Sequence, residues 1–292
     1  MPKPVVYFTK ELSKEALIKL FDKLNINLKE KTAVKVHSGE VGNQNFLHPE
    51  FFVPIVEHVN GRVVECNTAY PGERNTTKKH KKTFEKHGWT QYFDVDLMDE
   101  DGSVQFDIPN GKQIKKNFVG KNLLNYNSML VVSHFKGHPM GGFGGALKQL
   151  SIGCASTAGK AYIHSAGKTK SQKLVWLKLP AQDLFLESMA DAASSVVEHF
   201  KGQIAFINVM VNLSVDCDCC AEAEDPCMKD IGILASLDPV AIDQACIDLV
   251  QKSPDVGRDH FMERVNSRHG LHTIETAEEL GVGSREYELI EI

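Results

Sequence analysis

The chain of 292 residues has no apolar run long enough to span a bilayer, for which about 20 successive apolar residues are needed. No secretory leader is recognisable either. The opening MPKPVVYFTKELSKEALIKLF carries charges where an export signal has its apolar core, which argues against secretion. No segment repeats and no low-complexity linker divides the chain. Its seven cysteines are odd in number and partly adjacent, a poor disulfide framework at this length. A reducing, cytoplasmic setting is expected, where thiols are free to hold metal. A net charge of −5 is too mild to define a polyanion or polycation partner. The basic run TTKKHKKTFEKHG reads as the solvated face of a helix, so neither nucleic acid nor membrane is an expected partner.

What is present is a regular alternation. Strand-like apolar runs (PVVYF, TAVKVH, RVVEC, SMLVVSHF, IAFINVMV, IGILAS) alternate with segments of helical period such as KEALIKLFDKL and HPEFFVPIVEHVNG, the latter closed by Gly61. This predicts an α/β fold, a largely parallel or mixed sheet flanked by helices. Asp238 and Pro239 have the types favoured at an N-cap and first helical position, opening a helix over DPVAIDQACIDLVQKSP. TIETAEELGVG reads as a second capped helix and EYELIEI as a last strand. The whole chain, 1–292, reads as one domain. If it divides, the polar stretch MDEDGSVQFDIPNGKQ is the place, giving lobes 1–115 and 116–292.

Two stretches carry chemistry. In SHFKGHPMGGFGGALKQLSIGCAS, Gly141, Gly142, Gly144 and Gly145 follow a strand and open a helix, where backbone amides can approach a phosphate or carboxylate. It is not a P-loop, since Gln149 follows Lys148 and no hydroxyl is placed for magnesium. His134 and His138 can exchange protons near neutral pH. Lys148, near a helix start, is expected to have its charged form disfavoured, leaving a nucleophilic amine or covalent anchor. In DCDCCAEAEDPC, Cys217, Cys219, Cys220 and Cys227 fall within a dozen residues. Thiolates suit zinc, copper(I) or an iron–sulfur cluster, though the spacing is that of neither a zinc ribbon nor a ferredoxin. If their strands are parallel, both stretches reach one edge of the sheet. His37, Ser38, Gly39 and Asn43 can line that edge, and Arg74 can pair with a substrate carboxylate. Cys66, Cys154 and Cys246 read as core.

Together with NLSVDCDC and DIGILASLDPVAIDQACIDLV, the glycine-rich stretch resembles the family of uncharacterised iron–sulfur centre proteins, a domain of unknown function. Many relatives carry a ferredoxin-like insert after the glycine-rich helix; here no cysteine lies between Cys154 and Cys217, so that insert is missing. A more distant resemblance is to the nickel-pincer lactate racemases. The spacing of His138, Lys148 and His164 is similar to theirs, which implies an acid/base role for His138, a pincer nucleotide on Lys148 and a metal on His164. These resemblances imply a metal- or cofactor-dependent, racemase- or oxidoreductase-like enzyme that acts on a small anionic molecule by proton or hydride transfer. The other reading is an iron–sulfur or metal-binding module that passes electrons or metal to a redox partner protein.

Overall fold

In the computed structural model, which describes residues 2–292, one eight-stranded sheet runs through the molecule in the order β12–β1–β11–β10–β7–β2–β3–β4. Its strands are β1 (Val5–Thr9), β2 (Thr32–Lys35), β3 (Gly61–Glu65), β4 (Asp96–Leu97), β7 (Ser128–His134), β10 (Ile204–Met210), β11 (Gly232–Ser236) and β12 (Glu288–Glu291). All run in one direction except β11, which is antiparallel to both β1 and β10. The expected α/β class is therefore the observed one. Strands from either side of residue 115 share this sheet. The polar stretch at 98–113 supplies part of a surface hairpin, β5 (Ser103–Asp107) with β6 (Lys116–Gly120).

Both faces of the sheet are covered, which is why its strands are apolar runs rather than alternations. Along β7, Leu130 and Val132 point into one core with helices α1 (Lys14–Lys23), α2 (Val53–His58) and α3 (Thr77–Lys86). Met129 and Val131 point into the other, with α4 (Ala146–Lys148), α6 (Gln182–His199), α7 (Pro239–Lys252), α8 (Arg258–Ser267) and α9 (Leu271–Glu279). Asp238 does cap α7, accepting from the amides of Val240 and Ala241. The helix after Phe52 ends differently from expectation. Asn60 takes the left-handed turn at φ 46°, and Gly61 already belongs to β3. No side chain caps α9, whose N-cap is Gly270.

From β2 the chain winds outward through β3 to β4, and from β7 it winds the other way to β10 and β11. The loops leaving the carboxyl ends of β2 and β7 therefore part to opposite faces and open a crevice, the usual ligand position in open α/β sheets.

Candidate functional site

At this edge lies a cavity of about 280 Å³, near the lower limit for small-molecule sites. Its chemical wall carries His37, Arg74, His138, Lys148, Lys160 and Cys219, and its apolar wall includes Met140, Ile152 and Trp176. Every strand bordering the crevice delivers part of it: His37 follows β2, Glu65 ends β3, and His138 follows β7.

His138 ends β8 (Lys136–His138), which forms a hairpin with β9 (Gly142–Gly144). The hairpin turns through Pro139–Gly141, and His138 Nδ1 accepts the backbone N–H groups of Met140 at 3.1 Å and Gly141 at 2.8 Å. With Nδ1 accepting, a neutral ring carries its proton on Nε2. That nitrogen stands 3.8 Å from Cys219 Sγ. Burial, reinforced by the charge on Lys148, lowers the pKa of His138, keeping the ring neutral. The hairpin lies directly on the cysteine loop. Gly137 N donates to Ser214 O, and a Cβ at Gly137 would strike the backbone of Val215.

Beneath the cavity, Lys148 Nζ donates to Cys217 Sγ at 3.0 Å. Burial resists ionisation of Cys217, but its hydrogen bond with Cys219 and the charges on Lys148 and Lys136 prevail and hold its pKa well below that of an ordinary thiol. Cys219 moves the opposite way, because its hydrogen bond to Cys217 keeps its own proton in place. The result is a buried thiolate, Cys217, next to a cavity-facing thiol, Cys219. Lys148 is correspondingly an ammonium: burial opposes its charge, yet the Cys217 thiolate raises its pKa above the usual lysine value. The expected neutral amine at Lys148 is therefore corrected. The helix there has only three residues before it passes into a wider turn at Gln149–Gly153, and a thiolate at contact distance outweighs its dipole.

Asp218 holds this floor together. Its carboxylate accepts from His134 Nδ1 at 2.8 Å and Lys136 Nζ at 2.6 Å. Burial works against the charged form, but His134 and Lys136 hold Asp218 far below the usual carboxylate range. His134 Nε2 faces Val211 O at 2.7 Å. Both its ring nitrogens thus face oxygen atoms of the protein and neither is turned to the cavity, so His134 is a positioning residue behind Asp218. It does not line the cavity, and the acid/base role expected for it does not fit.

The glycine-rich loop is filled from within the protein. Asp243 of α7 accepts from Ala146 N at 2.8 Å and Leu147 N at 2.9 Å, and so occupies the anion position at the start of α4. A Cβ at Gly145 would collide with the Asp243 carboxylate, and one at Gly142, where φ is +80°, would meet Gly270. Gly144 lies against the Lys148 side chain, and Gly141 belongs to the His138 turn. None of the four lines the cavity. Their expected role as a cradle for a ligand anion is replaced by packing around an internal carboxylate.

The remaining expected residues separate. His164, at the end of α5 (Thr157–His164), lines the cavity, with Nδ1 donating to Lys160 O at 2.7 Å and its ring stacked on Phe185 at 5.0 Å. Burial pushes its pKa down to about 4. Cys220 also reaches the cavity wall. Cys227 does not, because its thiol donates to Leu213 O at 3.3 Å and it packs on the far side of its loop. Among the described residues, the one group of His, Cys, Asp or Glu with ligand atoms mutually within 4.8 Å is His138, Cys217 and Cys219. Arg74 is already satisfied by Glu40 at 3.3 Å, Tyr70 Oη at 2.8 Å and Glu65 at 3.5 Å. It braces the wall instead of waiting for a substrate. Asn43 fastens the cysteine loop by donating to Cys217 O and Cys220 O.

Sequence reasoning missed three residues here. Lys160 shares a helix face with His164, four positions on, and that spacing was the available signal. Asp218 was visible only as an acid between cysteines, and Asp243 only as a polar position in an apolar helix.

These features define an α/β protein with a cationic, thiol-bearing cavity at the switch point of its sheet. Residues 32–248 match the family described as a domain of unknown function (DUF362), and the chain belongs to that family. No curated protein matches its sequence. Among solved structures, the chain is similar to the lactate racemase apoprotein of Thermoanaerobacterium thermosaccharolyticum, at 13% identity and a TM-score of 0.42, over 70% of this chain and 50% of that one. It is also similar to a protein from Thermotoga maritima, at 13% identity and a TM-score of 0.44, over 91% of this chain and 58% of that one. The chain thus spans half the length of the first and 58% of the second. No helix among the described residues is long and apolar enough to cross a membrane.

Proposed function

We propose that this protein is an enzyme that binds a small anionic molecule in the sheet-edge cavity and moves a proton on it. The observation that carries this reading is the orientation of His138: two backbone amides fix Nδ1, so Nε2–H faces Cys219 and, beyond it, the Cys217 thiolate paired with Lys148. A proton can pass between a ring, a thiol and a thiolate held in contact, and the cavity presents the ring and the outer thiol to a ligand. Arg74 and Lys148 against Glu65, the one carboxylate in the lining, favour an anionic guest.

A pincer nucleotide does not fit these residues. Asp243 fills the place its phosphate would take, and Lys148 is held as an ammonium against Cys217. An iron–sulfur cluster fits no better, because Cys227 is turned away from the other three thiols. The second reading, a mononuclear soft metal ion on Cys217 and Cys219, is favoured by their proximity to His138. Ligation through His138 Nε2 would move its proton to Nδ1, against two backbone donors, so the thiols would be the principal ligands.

The test follows α-hydrogen exchange by NMR in heavy water over a panel of small hydroxy, oxo and amino acids, using metal-free and zinc-loaded protein. Exchange by the metal-free protein, abolished in Cys219→Ser, supports proton transfer. Exchange that appears only after zinc is restored supports the metal reading, and none in either form contradicts the proposal.

A further inference from the structure

The cavity contains an amine that the proton-transfer reading leaves unused. Lysines 35, 136, 148 and 160 all reach the interior around the site. Three have an anionic partner: Lys35 pairs with Glu65 at 2.9 Å, Lys136 with Asp218 at 2.6 Å, and Lys148 with the Cys217 thiolate at 3.0 Å. Lys160 forms no ion pair with any described residue. Its Nζ donates to a neutral acceptor, the backbone carbonyl of Ala155, at 2.6 Å. The residue is 6% exposed and lines the cavity.

An ammonium buried without a counter-charge is costly, so a lysine in this position is better accommodated as a neutral amine. Position adds to this. Lys160 sits near the start of α5, where the helix dipole repels positive charge. Burial lowers its pKa further than the more distant Cys66, Asp99 and Glu65 raise it. The start of α5 is tied down beside β6, since Ser156 N donates to Phe118 O and Gly159 packs on the same carbonyl so closely that a Cβ would strike it. A desolvated amine without a counter-charge, whose charged form burial disfavours and which faces an apolar-walled cavity, is placed to attack carbonyl carbon.

We infer that Lys160 is the nucleophile of this cavity and that it captures the carbonyl carbon of a small 2-oxo acid as an imine. The Lys160 nitrogen adds to the carbonyl carbon, one nitrogen proton passes to the oxygen, and loss of water leaves the carbon–nitrogen double bond. No electrons are exchanged with any other reactant. This deepens the proposed function and rests on it. A protonated imine acidifies the neighbouring C–H, which is the proton that His138 and the thiol pair would carry.

The experiment incubates the full-length protein with pyruvate or glyoxylate and cyanoborohydride, then reads intact mass and maps the modified peptide. The expected result is one adduct per chain, located on Lys160 and absent from Lys160→Met and Lys160→Arg. Mapping in the unaltered protein keeps the test valid if either variant fails to fold. An adduct on Lys148, adducts spread over surface lysines, or no adduct with either acid overturns the inference. A thermal shift with the same acids without reductant separates the two ideas. A shift without trapping leaves the cavity reading standing and removes Lys160 as nucleophile, whereas neither shift nor trapping contradicts both for 2-oxo acids.

Discussion

The glycine-rich loop and the cysteine loop lie at the same edge of the sheet, yet they do opposite work. Around the glycines, every close approach is to another part of the protein: Asp243 sits where a ligand anion would, and Gly270 packs against Gly142. Around the cysteines, polar groups point outward to a cavity, with a thiolate, an ammonium and a ring of fixed tautomer in contact. Absence of side chains made the glycines conspicuous, but close packing of a helix on a strand needs the same absence as a ligand does. Charge that the fold pairs internally is structural; charge left facing space can do chemistry.

The largest effect that could break this contrast is on activity. His138→Asn should lower turnover in the α-hydrogen exchange assay by about a hundred- to ten-thousand-fold while changing stability by no more than about 1 kcal/mol. Next comes Gly145→Ala, whose methyl group would overlap the Asp243 carboxylate. It should cost about 3 kcal/mol of stability, measured by urea unfolding, with the activity of the remaining folded fraction little changed.

Acid should act on the two sides with opposite sign. Burial pushes Asp243 up to about 6. The native state therefore holds the extra proton, and this contribution, up to about 3 kcal/mol, is complete below the unfolded value near 3.8 and lost as pH rises through about 6. His164, pushed down to about 4 against 6.5 when unfolded, reverses this. There the unfolded chain holds the extra proton, so stability falls as pH drops from 6.5 towards 4. Unfolding curves of Asp243→Asn and His164→Phe across about pH 4 to 7.5 should each remove one slope and expose the other. The smallest effect belongs to Cys227→Ser, which should leave turnover intact and stability within about 1 kcal/mol, since its thiol bonds only Leu213 O and takes no part in the cavity.

The contrast also explains what the sequence made legible. Strand order aside, the α/β class, the strands and the Asp238 cap follow from local apolar patterns, because each is fixed by burial within a few residues. The meeting of His138, Lys148 and the cysteine loop at one edge was legible for a similar reason, since each follows a strand. What could not be read is pairing across the chain. That Asp243 reaches the amides of Ala146 and Leu147 depends on how α7 packs on α4, about a hundred residues away in sequence. The same holds for the protonation of Lys148, set by Cys217 and not by its own helix, and for Lys160, whose distinction is a missing partner.

The most direct measurement compares thiol alkylation by iodoacetate and iodoacetamide, read cysteine by cysteine by mass spectrometry. The account predicts that Cys220, which lines the cavity and whose hydrogen bond with Cys219 lowers its pKa, favours the anionic reagent relative to Cys227, and that small carboxylic acids protect it. Equal preference at Cys220 and Cys227, or labelling of Cys227 ahead of Cys220 without protection, would contradict a cationic cavity with its reactive thiol in the cysteine loop.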